Sequence, residues 1–197
     1  MQKLIEIRWH GRGGQGAVTA SKLLADAALS EGFYIQAFPE YGAERMGAPV
    51  RSFNRISSET INIHCQISEP DIVMVLDETL LETIDVAAGI KNGGSIIINT
   101  SREPDEILSL IHHDNTKNIS LYTVDASKIS METIGKVFPN TPMVGALIKT
   151  LEFLKPETLE STIKKTLSKK VQAPVVEANI AAAKRAHEEV KENVWEG

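Results

Sequence analysis

Gly11-Arg12-Gly13-Gly14-Gln15-Gly16 stands between a strand-like and a helix-like segment. Glycines at this density let a backbone turn tightly and approach a bound group closely. The free N–H groups that open the next helix, with about half a positive charge from its dipole, suit an anion. The segment reads as a phosphate cradle, with Arg12 offering a forked cation and Gln15 an amide donor. The competing reading is a tight turn that only packs helix on sheet.

Two common phosphate sites fit poorly. The segment matches G-x-G-x-x-G, but a dinucleotide site wants an acid about 20 residues on, ending the second strand. That strand is Tyr34–Phe38, with no acid before Glu40, and the first strand carries Glu6 and Arg8 where apolar residues are usual. Ala17-Val18 stand where a nucleotide-hydrolase loop places Lys and Ser or Thr.

Other groups offer less chemistry. His10 closes the strand ahead of the loop and reads as a hydrogen-bonded structural residue. Arg12 has a bland alternative as a partner of Glu6 or Glu40, and Arg45 as a partner of Glu44 or a subunit contact. Arg51 is a weaker phosphate candidate. His112 and His113 are adjacent, do not share a helix face, and make poor metal ligands. Lys164, Lys165, Lys169 and Lys170 read as a solvated helix face opposite Leu159, Ile163 and Leu167. No Ser/His/Asp triad or cysteine with a base stands out.

Composition narrows the classes. The 197 residues are 42% hydrophobic and 24% charged, enough apolar material for the single domain expected over 1–197. Lys plus Arg is 21 against 26 Asp plus Glu, a formal net charge of −5, with no basic surplus for nucleic acid. The one cysteine, Cys65, cannot close an intrachain disulfide, ligate an iron–sulfur cluster alone or build a thiolate zinc site. No signal peptide or membrane-spanning run is expected, so the expected location is cytoplasmic with no membrane partner.

The elements that must position the loop alternate in type. Lys3–Trp9 reads as a strand, Ala17–Ser30 as a helix ended by Gly32, and Glu40–Pro49 as a loop. Val50–Ile56 and Ile61–Ile67 alternate in polarity across Ser57–Thr60. They predict an antiparallel hairpin with Cys65 on its buried face and His64 on its polar one. Ile72–Leu76, Ser95–Asn99 and Leu121–Val124 read as parallel strands buried on both faces. Thr79–Gly89 and Pro104–Ile111 are the intervening helices. The chain then reads helical over Met143–Phe153, from Pro156 through Leu167, and over Val175–Val190, with a break at Pro174. Trp195 falls in a short tail, where it reads as a subunit anchor. The fold class is α/β: a single domain with a mixed, mostly parallel sheet, an antiparallel hairpin and a helical C-terminal portion.

The residues are more specific than their spacing. His10-Gly11-Arg12-Gly13-Gly14-Gln15-Gly16-Ala17-Val18-Thr19-Ala20 resembles the N-terminal signature of the gamma chain of 2-oxoacid:ferredoxin oxidoreductases. So do Gln36-Ala37-Phe38-Pro39 with Tyr41-Gly42-Ala43-Glu44-Arg45-Met46-Gly47-Ala48-Pro49-Val50, and Asn140-Thr141-Pro142-Met143-Val144-Gly145. One departure is Met46, where family members often carry a second basic residue.

The resemblance implies an enzyme that converts a 2-oxoacid and coenzyme A to an acyl-CoA and CO2 while reducing ferredoxin. It implies partner alpha, beta and delta subunits, which hold thiamine diphosphate, Mg2+ and 4Fe-4S clusters. This chain is then inactive alone and handles coenzyme A. The loop variant looks more like the pyruvate or branched-chain enzymes than the 2-oxoglutarate ones. Carried over by motif, the coenzyme A site is Gly11, Arg12, Gly13, Gly14, Gln15, Gly16, Arg45, Gly47, Ala48, Asn140 and Thr141. The alternatives are an assembly subunit with no ligand and a stand-alone nicotinamide or flavin oxidoreductase. The missing second-strand acid weighs against the last.

Overall fold

The computed structural model describes residues 4–40, 46–111 and 118–195. Its strands are β1 (Leu4–Arg12), β2 (Tyr34–Pro39), β3 (Pro49–Ser57), β4 (Ile72–Val75), β5 (Ser95–Asn99), β6 (Ile119–Val124) and β7 (Lys191–Trp195). They form one sheet in the order β2-β3-β1-β4-β5-β6-β7. The neighbours β1, β4, β5 and β6 are parallel. Strand β3 runs antiparallel to both β1 and β2, and β7 antiparallel to β6. Only β3 and β7 therefore oppose the common direction, and the sheet is mixed and mostly parallel, as the apolar runs predict.

The helices are α1 (Ala17–Ser30), α2 (Pro104–Leu108), α3 (Ala126–Ile134), α4 (Asn140–Leu147), α5 (Pro156–Leu167) and α6 (Ala173–Glu189). One sheet face, with Ile7, Trp9, Met74 and Ile97, packs under α1 and the four helices from α3 to α6. The other, with Val73, Val75, Ile96 and Ile98, packs under Leu81, Val86 and Ile107, which lie on α2 and the segment before β5. Ile7 and Leu24 are both 0% exposed, and such burial stabilises by roughly 1.5–3 kcal/mol for each aliphatic side chain. A buried polar chain fixes α1 on the sheet. Trp9 Nε1 donates to Asn54 Oδ1 at 2.8 Å, and Asn54 Nδ2 donates to the Ser21 carbonyl at 2.9 Å.

Several expectations are corrected. Strand β3 does not pair with residues 61–67, which form no strand; the sequential antiparallel pair is β2 with β3. Cys65 is exposed, not a core residue. Residues 61–65 instead cover Arg55, which donates to the carbonyls of Ile63 (3.4 Å) and Cys65 (2.8 Å). The helix expected over 79–89 is only a 3-10 turn, Glu78–Glu82, capped by Asp77. The helix expected from Met143 is α4, which tightens into a 3-10 turn over Ile148–Thr150. Pro174 lies in the first turn of α6, where its missing N–H costs nothing. The backbone of Trp195 belongs to β7, opposite Ile119.

Connections leave the parallel strands toward different faces. The chain after β1 enters α1 on one face, whereas the chain after the neighbouring β4 crosses to the other. The same divergence separates β5, followed by α2, from β6, followed by α3. Each divergence opens a crevice at the carboxyl ends of the strands, where α/β sheets bind ligands.

Candidate functional site

The glycine turn lies at the first crevice, between β1 and β4. Strand β1 runs through Arg12 because Gly11 and Arg12 keep pairing with Val50 and Pro49. The chain then turns at Gly13–Gly16 into α1. Two hydrogen bonds join this turn to the second motif block: the Gly13 N–H donates to the Ala48 carbonyl at 2.9 Å, and the Gly47 N–H to the Gly13 carbonyl at 3.1 Å.

Gly16 has φ +82°, a left-handed conformation in which a side chain is strained. A Cβ there would stand 3.0–3.2 Å from the side chain of Asn140. Asn140, the first residue of α4, is therefore seated directly on the turn. Thr141 behind it is 5% exposed and belongs to the packed interior. Gly14, with φ +98°, forms the exposed tip with open space above it. The N-cap of α1 is Gly16, which has no side chain to cap the helix, so among the described residues its opening N–H groups have no side-chain cap.

Arg12 is engaged, though not with Glu6 or Glu40, the alternative partners its sequence position offered. Its Nε lies 3.2 Å from Asp77 Oδ2, its Nη2 donates to Thr79 Oγ1 at 2.8 Å, and its Nη1 donates to the Gly47 carbonyl at 3.2 Å. Gln15 works in both directions, accepting from the Arg12 N–H at 2.7 Å and donating to Asp77 Oδ2 at 2.6 Å. Burial alone would raise the Asp77 pKa, but hydrogen bonds from Thr79 and Gln15 and the charge of Arg12 outweigh it and hold it below its ordinary value. A carboxylate thus stands beside Arg12, and the cation is locally neutralised. Asp77 and Thr79 were not among the expected site residues. Their signal was Asp77 directly after the apolar run Ile72–Leu76, at a strand's carboxyl end.

The remaining candidates separate. Arg45 and its neighbours Tyr41–Glu44 lie outside the described residues, as do His112 and His113. Arg51 pairs with Glu40, and Glu6 with Arg55 and Lys91. Among the described residues, no group of three or more His, Cys, Asp or Glu is placed to hold a metal ion. No helix among them is long and apolar enough to cross a membrane.

His10 is 2% exposed and accepts from Arg8 Nε at 3.0 Å through Nε2, which puts its proton on Nδ1. Among the described residues Nδ1 has no partner. Burial, then the charges of Arg8 and Arg51, lower its pKa to about 3. Arg8, also buried, is lowered to about 10 by burial first, and donates to the carbonyls of Val86 (2.9 Å) and Ala88 (2.6 Å).

A pH dependence follows. The unfolded imidazole takes its proton near pH ~6.5, well above the folded one. The stability His10 confers is complete above that pH and falls, by up to about 1.4 kcal/mol per pH unit, on acidification toward the folded value. Denaturation from pH 4 to 7 is expected to show a shallower acid slope in His10→Gln; equal slopes would refute it.

A family model described as pyruvate ferredoxin/flavodoxin oxidoreductase matches residues 6–189. The "Pyruvate/ketoisovalerate oxidoreductases common subunit gamma" of Pyrococcus abyssi is 47% identical over 188 residues, covering 95% of this chain and 98% of that one. "Pyruvate synthase subunit PorC" of Thermotoga maritima is 44% identical over 190 residues, covering 96% of each. A crystal structure of the pyruvate oxidoreductase subunit PORC from Thermotoga maritima superposes with a TM-score of 0.85 at 41% identity, covering 98% of this chain and 99% of that one.

Proposed function

The chain belongs to the pyruvate ferredoxin/flavodoxin oxidoreductase family, and from that premise we propose that it is the gamma subunit of a 2-oxoacid:ferredoxin oxidoreductase. Pyruvate is the substrate best supported, because the relatives are named for pyruvate or for pyruvate and ketoisovalerate. Within that assembly the glycine turn helps to bind coenzyme A. Thiamine diphosphate, Mg2+ and the 4Fe-4S clusters belong to alpha, beta and delta partners, and this chain alone does not turn over substrate.

One observation carries the coenzyme A reading. Three stretches far apart in sequence, 11–16, 47–48 and Asn140, meet at one crevice. The uncapped start of α1 offers N–H donors there, and Gln15 and Asn140 offer amides. These groups bind and orient the thioester-forming substrate; they neither accept nor deliver a proton.

Gly14→Asp in the assembled complex tests this. It places a carboxylate at the open tip and strains a backbone at φ +98°. We expect coenzyme A affinity, measured by calorimetry, to fall about tenfold or more. Unchanged affinity with intact assembly overturns the reading. A second reading, in which the turn packs only against a partner chain, is favoured by Met46, a large apolar side chain 94% exposed beside Gly47. Under it, the variant loses its partners on purification while coenzyme A affinity of the residual complex stays normal.

A further inference from the structure

Helices α1 and α5 leave a groove of about 470 Å³ between them, lined by Asp26, Leu29, Thr162, Lys165, Lys169 and Lys170 among others. Asp26 is the one acid on its wall. Among the described residues the lysines that form salt bridges are Lys91, Lys184 and Lys191, so the three in the groove stand without a carboxylate partner. The dipole of α5 accounts for Lys165, which lies in the last turn beside Lys164. It does not account for Lys169 and Lys170, which follow the end of the helix at Leu167.

Leu29 is a second, independent anomaly. It lines the same groove and is 58% exposed, while the neighbouring Ala27 and Ala28 of α1 are wholly buried. Val171, next to Lys170, is also exposed. A chain of net charge −5 thus carries one face where cations rim exposed apolar atoms. Such a face attracts and orients an acidic partner that the rest of the surface repels. Nucleic acid fits it less well, because Asp26 would meet its phosphates and no aromatic side chain lines the groove to stack a base. The groove also stands apart from the glycine turn: Asp26 and Leu29 lie about 15–20 Å along α1 from Gly16.

We propose that the α1/α5 groove seats an acidic segment of another subunit of the oxidoreductase, whose carboxylates pair with Lys165, Lys169 and Lys170 and whose apolar side chain covers Leu29. This rests on the reading of the chain as a subunit of that assembly and is independent of what the glycine turn binds.

Carbodiimide coupling in the purified, assembled complex tests it, because this reagent joins a lysine Nζ to a carboxylate only where the two touch. Peptide mapping is expected to find Lys165, Lys169 or Lys170 joined to an Asp or Glu of another subunit. Coupling of these lysines only to a second copy of this chain, or no coupling at any of them, overturns the proposal. A charge reversal supplies the second measurement. Lys165→Glu with Lys169→Glu alters two exposed side chains and is expected to weaken retention of this chain in the complex about tenfold, with release at lower salt. The paired Lys→Arg changes are expected to keep it. Retention unchanged by the reversal overturns the proposal, as does a reversal that abolishes binding to duplex DNA while leaving assembly intact. If the parent chain purifies with no other subunit, the assembly reading fails and takes this one with it; if the parent assembles and only the lysine results fail, the assembly reading stands and the groove alone is overturned.

Discussion

Arg55→Ala lowers the stability of the folded chain by about 3–5 kcal/mol. Arg55 is 1% exposed, and its guanidinium is spoken for on every side. Its Nε donates to Glu6 Oε1 at 2.9 Å, and its Nη1 to Gln36 Oε1 at 3.2 Å. Its remaining donors hold the carbonyls of Ile63 and Cys65, and its Cζ lies 5.5 Å from the centre of the Phe38 ring. Truncation leaves Glu6 with Lys91 Nζ, 3.4 Å away, and strips two backbone carbonyls of their donor. The loss is the desolvation cost of the groups left behind, not only the missing contact. Urea denaturation should show it as a lower midpoint. Arg55→Lys should recover only part, because an ammonium keeps the charge without the fork. A midpoint shift equivalent to less than about 1 kcal/mol, the size of an exposed ion pair, would show that the site is solvated.

Gly145→Ala is the second large expected effect. Gly145 lies in the middle of α4, and its missing side chain lets α6 pass over it. A Cβ would collide with the carbonyl oxygen of Ala183 and stand 2.8 Å from the Ala183 Cα. Those are backbone atoms of a helix, which cannot rotate away as a side-chain tip can. Overpacking typically costs roughly 1–3 kcal/mol, and a backbone collision belongs at or beyond the top of that range. The damage also has a direction. Helix α4 carries Asn140 onto Gly16, so pushing α4 from α6 displaces the amide that sits on the glycine turn. Thermal unfolding of Gly145→Ala should therefore shift down while coenzyme A affinity of the complex falls as well. A normal melting temperature would show that the two helices separate freely.

The parts of the fold legible in the sequence are those whose pattern has a local cause. Helix α1 follows a glycine-rich turn and carries alanines that must pack; strand β5 is an apolar run led in by Gly93-Gly94. Helix α5 begins at Pro156 and keeps Leu159 and Ile163 on one face. The failures share another cause. Ile61, Ile63, Cys65 and Ile67 alternate as a strand does, yet the segment serves Arg55 with its carbonyls. Alternation cannot reveal that the polar face of β3 is itself buried. Strand β7 was missed because Lys191-Glu192-Asn193 are polar and show no period; Glu192 is held instead by the Tyr122 hydroxyl at 2.6 Å. That bond, after burial, pushes the Tyr122 pKa up to about 12.

The candidate site was legible as three motif blocks, because glycines and a resemblance mark them. Its charge balance was not. Asp77 is separated from Arg12 by the whole of β2 and β3, and only the parallel register of β1 with β4, His10 opposite Val75, brings the two together.

Strand β1 also sets the order in which the molecule can be made. It is the first described segment to leave the ribosome, yet it lies between β3 and β4, and its partners Ile56 and Ile72 follow Ile5 and Ile7 by dozens of residues. Until both have emerged, Ile7 and Trp9 have no sheet to join, and two rows of backbone donors and acceptors stay open to other chains. Contacts this distant in sequence form slowly. The nascent chain therefore spends its early life with a strand that ends in the middle of the sheet still exposed, which makes this a segment that co-translational helpers have reason to hold.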